Sequence, residues 1–428
     1  MFFLLLLIKR NYKYKMDPKI CAYALGHLNH HIQNNRISAC YRCVTKLGDY
    51  KTQVLSDIFN SPAATRHRKT LMSGKWPSGC KSCKEFEEAG LLSTRLEGLK
   101  HPELGLNLDD YDHNTGKISH IKSIEIRFGN ECNLACRHCS PNFSSKWESL
   151  LKQHPTEWQP LLGREPEIVS KNNTHPNYFN DILTNLVPQL THIAFSGGET
   201  LFQQQHYDFI NAIPAEHASH IQLLYVTNGT ITEYKQYKVF DIWKKFKSVN
   251  IVVSTDGVLD RFNYFRQGAN WITVEKNMKI FKDAGFNVYT EITCSVYQMF
   301  YLAETIDYIY ESKISGAISS AIVQYPPLLN PRIIPSEIKN ELIEKWNQYL
   351  LSINDPVKLE AVKLAGNYPI DYMRGDLSDF AYGLPYNIIP TWRDFSNHVY
   401  ALDKLFNKNV NYYMPELSKH LLSINVSN

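Results

Sequence analysis

Between residues 121 and 330 two hydrophobic rhythms alternate along the chain. Short runs rich in β-branched and aromatic residues predict six strands: "KSIEIRF" (122–128), "THIAFSG" (191–197), "IQLLYVTNG" (221–229), "NIVVSTDG" (250–257), "NVYTEITCSV" (287–296) and "AISSAIVQ" (317–324). Between them lie "YDFINAI" (207–213), "YKVFDIWKKF" (237–246), "VEKNMKIFKDAG" (274–285) and "LAETIDYIYESK" (302–313). Apolar residues recur there every three or four positions, as an amphipathic helix requires. Strands alternating with helices predict an α/β fold with a parallel sheet. Right-handed crossovers curl six such units into a partial (β/α)6 barrel, with ligands at the C-terminal ends of the strands.

The flanks read differently. Residues 1–16, "MFFLLLLIKRNYKYKM", form an N-terminal extension whose apolar run stops at Ile8, far short of the ~20 residues of a membrane span. Positive charge follows that run instead of preceding it, which argues against a signal peptide and makes Met16 an alternative start. Residues 17–100 are cysteine-rich and irregular, and 101–120 read as a polar linker. From 331 to 428 the pattern is helical, starting with "NPRIIPSEIKNELIEKWNQYL".

Composition changes this picture little. The 428 residues are 43% hydrophobic and 21% charged, with a net charge of +4, an ordinary globular balance that points to neither nucleic acid nor membrane as partner. The nine cysteines matter more. Most of them fall in tight pairs and a triplet, a spacing that suits metal sites in a reducing compartment, and the cytoplasm is the expected location.

The triplet is "ECNLACRHCS" (131–140), with Cys132, Cys136 and Cys139 directly after the first predicted barrel strand. Three thiolates on one loop suit a four-iron, four-sulfur cube with one iron left open. The bland alternatives are a buried cysteine cluster or a partial zinc site. At the next strand ends stand Gly197, Gly198 and Glu199 in "SGGET", Asn228 in "TNG", Ser254 and Asp256 in "STDG", and Arg266 in "DRFNYFRQG". Glycines allow close backbone approach, Glu199 can accept from an ammonium, and Ser254 and Asp256 share one strand face.

The C-x-x-x-C-x-x-C spacing after the first strand resembles the radical S-adenosylmethionine (radical SAM) superfamily. The resemblance implies that SAM occupies the open iron through its amino and carboxylate groups. It implies that the Gly197-Gly198-Glu199 turn meets the methionine amine, Arg266 the carboxylate, and Ser254 and Asp256 the ribose. Asn228 faces the same cavity, and His138 stands where the family often has an aromatic residue, near the adenine. The implied chemistry is reductive cleavage of SAM to a 5′-deoxyadenosyl radical that takes hydrogen from substrate, with a flavodoxin or ferredoxin as electron donor.

Further upstream, "CYRC" (Cys40, Cys43) and "CKSC" (Cys80, Cys83) by themselves suggest a structural four-cysteine zinc site. A fifth cysteine, Cys21, adds a donor. The segments "ICAYALGH", "ISACYRC" and "GKWPSGCKSCKEFEEAGLLSTR", the last ending in Glu87, Gly90, Ser93 and Arg95, resemble a twitch domain, a short relative of the SPASM domain. That resemblance implies an auxiliary four-iron cluster held by Cys21, Cys40, Cys80 and Cys83, with Cys43 the substitute for Cys40, and a two-electron oxidation of the substrate. The sequence departs from the pattern at Ala24-Leu25, where Pro-Trp is usual, and at Cys40-Tyr41, where adjacent cysteines are usual. Cys294, inside an apolar strand, is expected to pack in the core, and His27, His30 and His31 to be structural or surface residues. Two rival readings stand beside this one. One is a non-catalytic zinc or iron–sulfur protein that binds nucleic acid; the other is an enzyme of the same fold acting on a peptide or protein instead of a small molecule.

Overall fold

The computed structural model describes residues 18–31, 36–88, 90, 92–154, 177–324, 326–377 and 389–422. The N-terminal apolar run lies outside the described residues. All six expected strands form: β3 (Ser123–Arg127), β4 (His192–Phe195), β5 (Gln222–Thr227), β8 (Ser248–Ser254), β9 (Asn287–Cys294) and β10 (Ile318–Ile322). They pair in that order, every pair parallel. A small antiparallel hairpin, β6 (Glu233–Tyr234) and β7 (Tyr237–Lys238), interrupts the crossover from β5 to β8. The four expected helical stretches appear as Gln204–Ala212, Val239–Trp243, Trp271–Asp283 and Leu302–Ser312.

The alternation of each strand sets the two faces of the sheet. On β8, Val249, Ile251 and Val253 are buried, and Asn250, Val252 and Ser254 are only half-buried. β5 repeats this with Leu223, Tyr225 and Thr227 buried and Leu224 and Val226 half-buried. The fully buried set meets the helices, for example Val274, Met278 and Phe281 at helical spacing on Trp271–Asp283. The half-buried set faces the interior of the partial barrel.

The N-terminal region adds two strands that the sequence pattern does not announce, β1 (His27–His31) and β2 (Arg36–Ser38). β1 runs parallel to β3, with His27 opposite Ser123, and β2 closes that edge antiparallel, giving eight strands in all. The segment "HLNHH" lacks hydrophobic alternation because its polar side chains pair instead of packing. Asn29 donates to Glu125, and Ser123 Oγ lies 2.8 Å from His27 Nδ1 and 2.9 Å from His192 Nδ1. His30 meets Tyr178, so His27 and His30 are structural; the side chain of His31 lies outside the described residues.

The C-terminal region is helical, as expected: Ser336–Ser352, Pro356–Met373, Trp392–Phe406, Val410–Tyr413 and Pro415–Leu422. It shares a core with β9, including Ile292 and Cys294, and the Cys294 thiol is fully buried. Among the described residues no helix is long and apolar enough to cross a membrane.

Candidate metal and cofactor site

The cysteine triplet leaves the C-terminal end of β3 and is strapped down on both sides. Ala135 N donates to Gln267 O (2.9 Å) and Arg137 N to Phe265 O (3.0 Å), so the loop lies along residues 265–267. Trp147 Nε1 donates to Cys136 O (2.8 Å), and Cys132 N donates to Ser145 Oγ (3.1 Å). Arg137 points away from the sulfurs. Its guanidinium lies 3.7 Å from the centroid of the Tyr264 ring, donates to Tyr264 O (3.0 Å) and forms a buried ion pair with Asp403 (2.7 Å). Asp403 also accepts from Tyr264 Oη (2.8 Å) and Val410 N (2.5 Å), so helix Trp392–Phe406 clamps the loop from behind.

The three sulfurs gather in a setting that disfavours free thiolates. Burial pushes Cys132 up to about 12, with Cys136 adding to it, and Cys136 up to about 11 despite the neighbouring Arg266. Cys139 rises further, by burial and then by repulsion from the other two. Thiols whose ionised forms would repel one another, held close on one partly buried loop, fit a group that brings positive charge, as an iron–sulfur cluster does. Arg266 lies beside Cys136, Nη1 at 4.0 Å from its Sγ, and the buried Arg266 Nε has no hydrogen-bond partner among the described residues.

The structure brings the strand-end residues to this loop. Gly197 has φ +116°, outside the range that L side chains favour. A Cβ on Gly198 would stand 2.4 Å from Glu131 O, so this turn lies directly on the cysteine loop. Glu199 is fully buried, and its carboxylate accepts from Thr227 Oγ1 (2.8 Å), Asn228 N (2.7 Å) and Leu201 N (3.1 Å); its amide donates to Glu131 O (2.8 Å). It braces the ends of β4 and β5 around the loop. Asn228 Nδ2 donates to Asn133 Oδ1 (2.9 Å), a residue of the loop itself. Asp256 and Arg266 form a buried ion pair at 2.5 Å, and Asp256 Oδ1 also accepts from Thr293 N (2.9 Å). His138 stacks on Phe265 (centroids 5.0 Å apart) with Nδ1 at 3.7 Å from Asp256, and burial lowers it to about 4. Ser254 is half-buried at the end of β8, opposite Glu291 of β9.

Inside the partial barrel stand polar residues that the sequence pattern did not mark as functional. Glu125 is paired with Arg127 (2.9 Å) and accepts from Asn29 and Ser196. The Glu291 carboxylate makes no hydrogen bond or ion pair with a described residue, and burial, then Asp256, raises it above the ordinary range. The signal for both was present: a charged residue in a strand otherwise built from apolar ones.

The five N-terminal cysteines also converge. Cys21, Cys40 and Cys83 are buried, and each has other cysteines or Arg95 as electrostatic neighbours. Burial raises Cys21 to about 12, and it also raises Cys40. Cys43 and Cys80 share a hydrogen bond that lowers Cys43 to about 6 and raises Cys80. The Glu-Gly-Ser-Arg ending has a physical explanation. Glu87 accepts from Ser93 Oγ (2.6 Å) and from Arg95 Nε and Nη2 (2.8 and 2.6 Å), while Arg95 Nη1 donates to Ile20 O (2.7 Å). The helix carrying Cys83, Lys81–Glu88, is thereby stapled to the residue before Cys21. Arg42, between Cys40 and Cys43, donates to Gln324 just past β10, so this region reaches the C-terminal ends of the strands. A sixth donor went unmarked in the sequence: His67, with Nε2 3.6 Å from Cys80 Sγ. Among the described residues, Cys43, His67 and Cys80 are the group of three whose donor atoms all lie within 4.8 Å of one another.

Residues 126–311, somewhat under half of the chain, match the model of the Radical SAM superfamily. Solved structures similar to the chain include anSMEcpe with bound AdoMet (15% identity, 54% of this chain and 60% of that one, TM-score 0.38). SuiB of Streptococcus suis bound to precursor peptide SuiA is similar at 17% identity over 68% of this chain and 59% of that one, with a TM-score of 0.35. TYW1 with a lysine-pyruvate adduct follows at 15%, 58%, 80% and 0.31. The chain thus spans about 60% of the length of the first of these, and at such TM-scores the fold assignment stands on the chain's own sheet and the family match. No curated protein sequence matches the chain.

Proposed function

We propose that the protein is a radical SAM enzyme, with Cys132, Cys136 and Cys139 holding a four-iron cluster whose open iron takes SAM. The observation that carries this reading is the triplet itself: three cysteines on one loop at the end of β3, electrostatic neighbours of one another, with the ends of β4, β5 and β8 folded onto that loop. The cluster, when bound and reduced, supplies the electron that splits SAM to methionine and a 5′-deoxyadenosyl radical. The chain supplies the rest. Arg266 offers an unpaired donor beside Cys136 for the methionine carboxylate. The Gly197-Gly198-Glu199 turn presents backbone to the amine, Ser254 and Asp256 face the ribose, and His138 offers a neutral flat ring near the adenine. Substrate, a small molecule or a peptide, enters the interior where Glu125, Arg127 and Glu291 stand.

The N-terminal region reads as a twitch-like auxiliary site. Cys21, Cys40, Cys80 and Cys83, with Cys43 standing by, would hold a four-iron cluster, which would supply a one-electron acceptor for a two-electron oxidation of the substrate that consumes SAM. All nine cysteines are free thiols, which suits a reducing compartment such as the cytoplasm and an external flavodoxin or ferredoxin as donor. The test is anaerobic reconstitution, reduction and assay of 5′-deoxyadenosine. The expected result is SAM cleavage by the parent and none by the Cys132→Ala, Cys136→Ala, Cys139→Ala triple variant. Zinc without labile sulfide in the parent would favour the nucleic-acid-binding alternative.

A further inference from the structure

We infer that His67 is a positioning residue of the N-terminal metal site, donating its Nε2–H to the Cys80 sulfur and thereby raising the reduction potential of the cluster bound there. The inference rests on reading that region as an auxiliary-cluster site. His67 is 5% exposed, and its Nε2 stands 3.6 Å from Cys80 Sγ. Its Nδ1 has no hydrogen-bond partner among the described residues, where the Cys80 sulfur is the group that selects which nitrogen carries the proton.

The ring is held in place from both sides. Its helix, Pro62–Met72, starts at Ser61, whose hydroxyl accepts from Ala64 N (3.2 Å) and donates to Leu47 O (2.7 Å). The next residue, Arg68, is 2% exposed and donates to Ala24 O (2.9 Å), Asn60 Oδ1 (3.0 Å), Gly116 O (3.3 Å) and Phe59 O. A helix fixed in this way keeps the imidazole against Cys80 without any contribution from a metal.

The spacing also says what His67 is not. Ligands on separate irons of a cube stand apart by the width of the cube and two metal–ligand bonds. At 3.6 Å, with Cys43 in the same 4.8 Å group, His67 and Cys80 cannot each take a corner. Cys80 takes it, as the C-x-x-C partner of Cys83, and His67 hydrogen-bonds the ligand. An N–H directed at a cluster sulfur draws off negative charge and favours the reduced state. The rival geometry is one tetrahedral zinc, for which bonds of 2.3 Å to sulfur and 2.0–2.1 Å to nitrogen give an S···N edge of about 3.6 Å.

The experiment uses the full chain carrying Cys132→Ala, Cys136→Ala and Cys139→Ala, so that any iron signal comes from the N-terminal site. Iron and zinc are counted, and the cluster is titrated by EPR with and without His67→Phe or His67→Gln. The expected parent value is about four irons per chain. His67→Phe, which keeps a ring and loses the donor, should lower the reduced-to-oxidised ratio about tenfold at the parent's midpoint, about 59 mV for one electron. His67→Gln, which restores an N–H, should recover most of that shift. Four irons with an unmoved potential in His67→Phe would overturn the inference alone, as would loss of the cluster in both variants or no rescue by Gln. Zinc in place of iron in the background chain would overturn the auxiliary-cluster reading and the inference with it.

Discussion

Two groups of cysteines lie in one chain, and they are built in opposite ways. The triplet after β3 comes from a single loop of eight residues and offers three sulfurs. Its surroundings are ionic and directional: Arg266 with Asp256, His138 stacked on Phe265, Glu199 bracing the strand ends. The N-terminal group draws five sulfurs and one imidazole from Cys21, the 40–43 pair, the helix Pro62–Met72 and the 80–83 pair. There the sulfurs alone outnumber the four positions of the proposed auxiliary cluster. A site short of one ligand is suited to a cosubstrate that supplies it, and a site with ligands in excess is suited to moving electrons with no exchange at the metal.

The comparison breaks most visibly when the cysteines of each group are replaced together. Losing Cys132, Cys136 and Cys139 should abolish 5′-deoxyadenosine formation, and iron should drop from about eight to about four per chain. Losing Cys80 and Cys83 should remove the same amount of iron while SAM cleavage persists and product formation stops. Equal loss of SAM cleavage in both variants would erase the functional distinction between the two groups.

Next in size is the clamp behind the triplet. Asp403→Ala leaves the Arg137 charge buried without its partner, and the side chains are 9% and 0% exposed. The expected loss is about 3–5 kcal/mol in chemical denaturation, together with weaker cluster retention. An unchanged stability would mean that water reaches the guanidinium once the carboxylate is gone.

A smaller change follows from Gly198→Ala. The added methyl meets a backbone oxygen of the cysteine loop at 2.4 Å, and a backbone atom cannot rotate away. A cost on the order of 1–3 kcal/mol is expected, with a displaced loop read as altered EPR of the SAM-bound cluster. The corresponding N-terminal position, Gly90 of the Glu-Gly-Ser-Arg ending, has open space around it but φ +73°. Alanine there should cost less and leave that EPR signal untouched.

The smallest effect concerns Glu291. Its carboxyl is raised in the folded state by burial, so it carries no penalty below the ordinary carboxylate pKa and an increasing one as pH rises past it. Glu291→Gln should therefore melt above the parent at pH 7.5, and the two should converge towards pH 4.5. A difference that persists unchanged into acid would assign the effect to packing instead of charge.

The strands of the barrel and the two cysteine groups were legible because each is written in contiguous residues: a period of two or 3.6, or sulfurs three and four positions apart. β1 was not, since "HLNHH" earns its place through hydrogen bonds to Ser123 and Glu125, partners 96 residues away. His67 and Asp403 escaped notice for the same reason. Each acts on a residue distant in the chain, Asp403 on Arg137 266 positions earlier, and neither belongs to a local motif. Glu199 was legible by position, yet its carboxylate meets Thr227, Asn228 and Leu201, a role that only the folded arrangement of two strand ends displays.

The bond between Arg137 and Asp403 also has a meaning in time. A ribosome adds Arg137 266 residues before it reaches Asp403, the residue that clamps it, a delay of roughly 13–53 s at about 5–20 residues per second. Throughout that interval the nascent loop carries three thiols with no clamp behind them, exposed to any oxidant in the compartment. The loop gains its clamp only after Asp403 has been made, and helix Trp392–Phe406 acts as the latch.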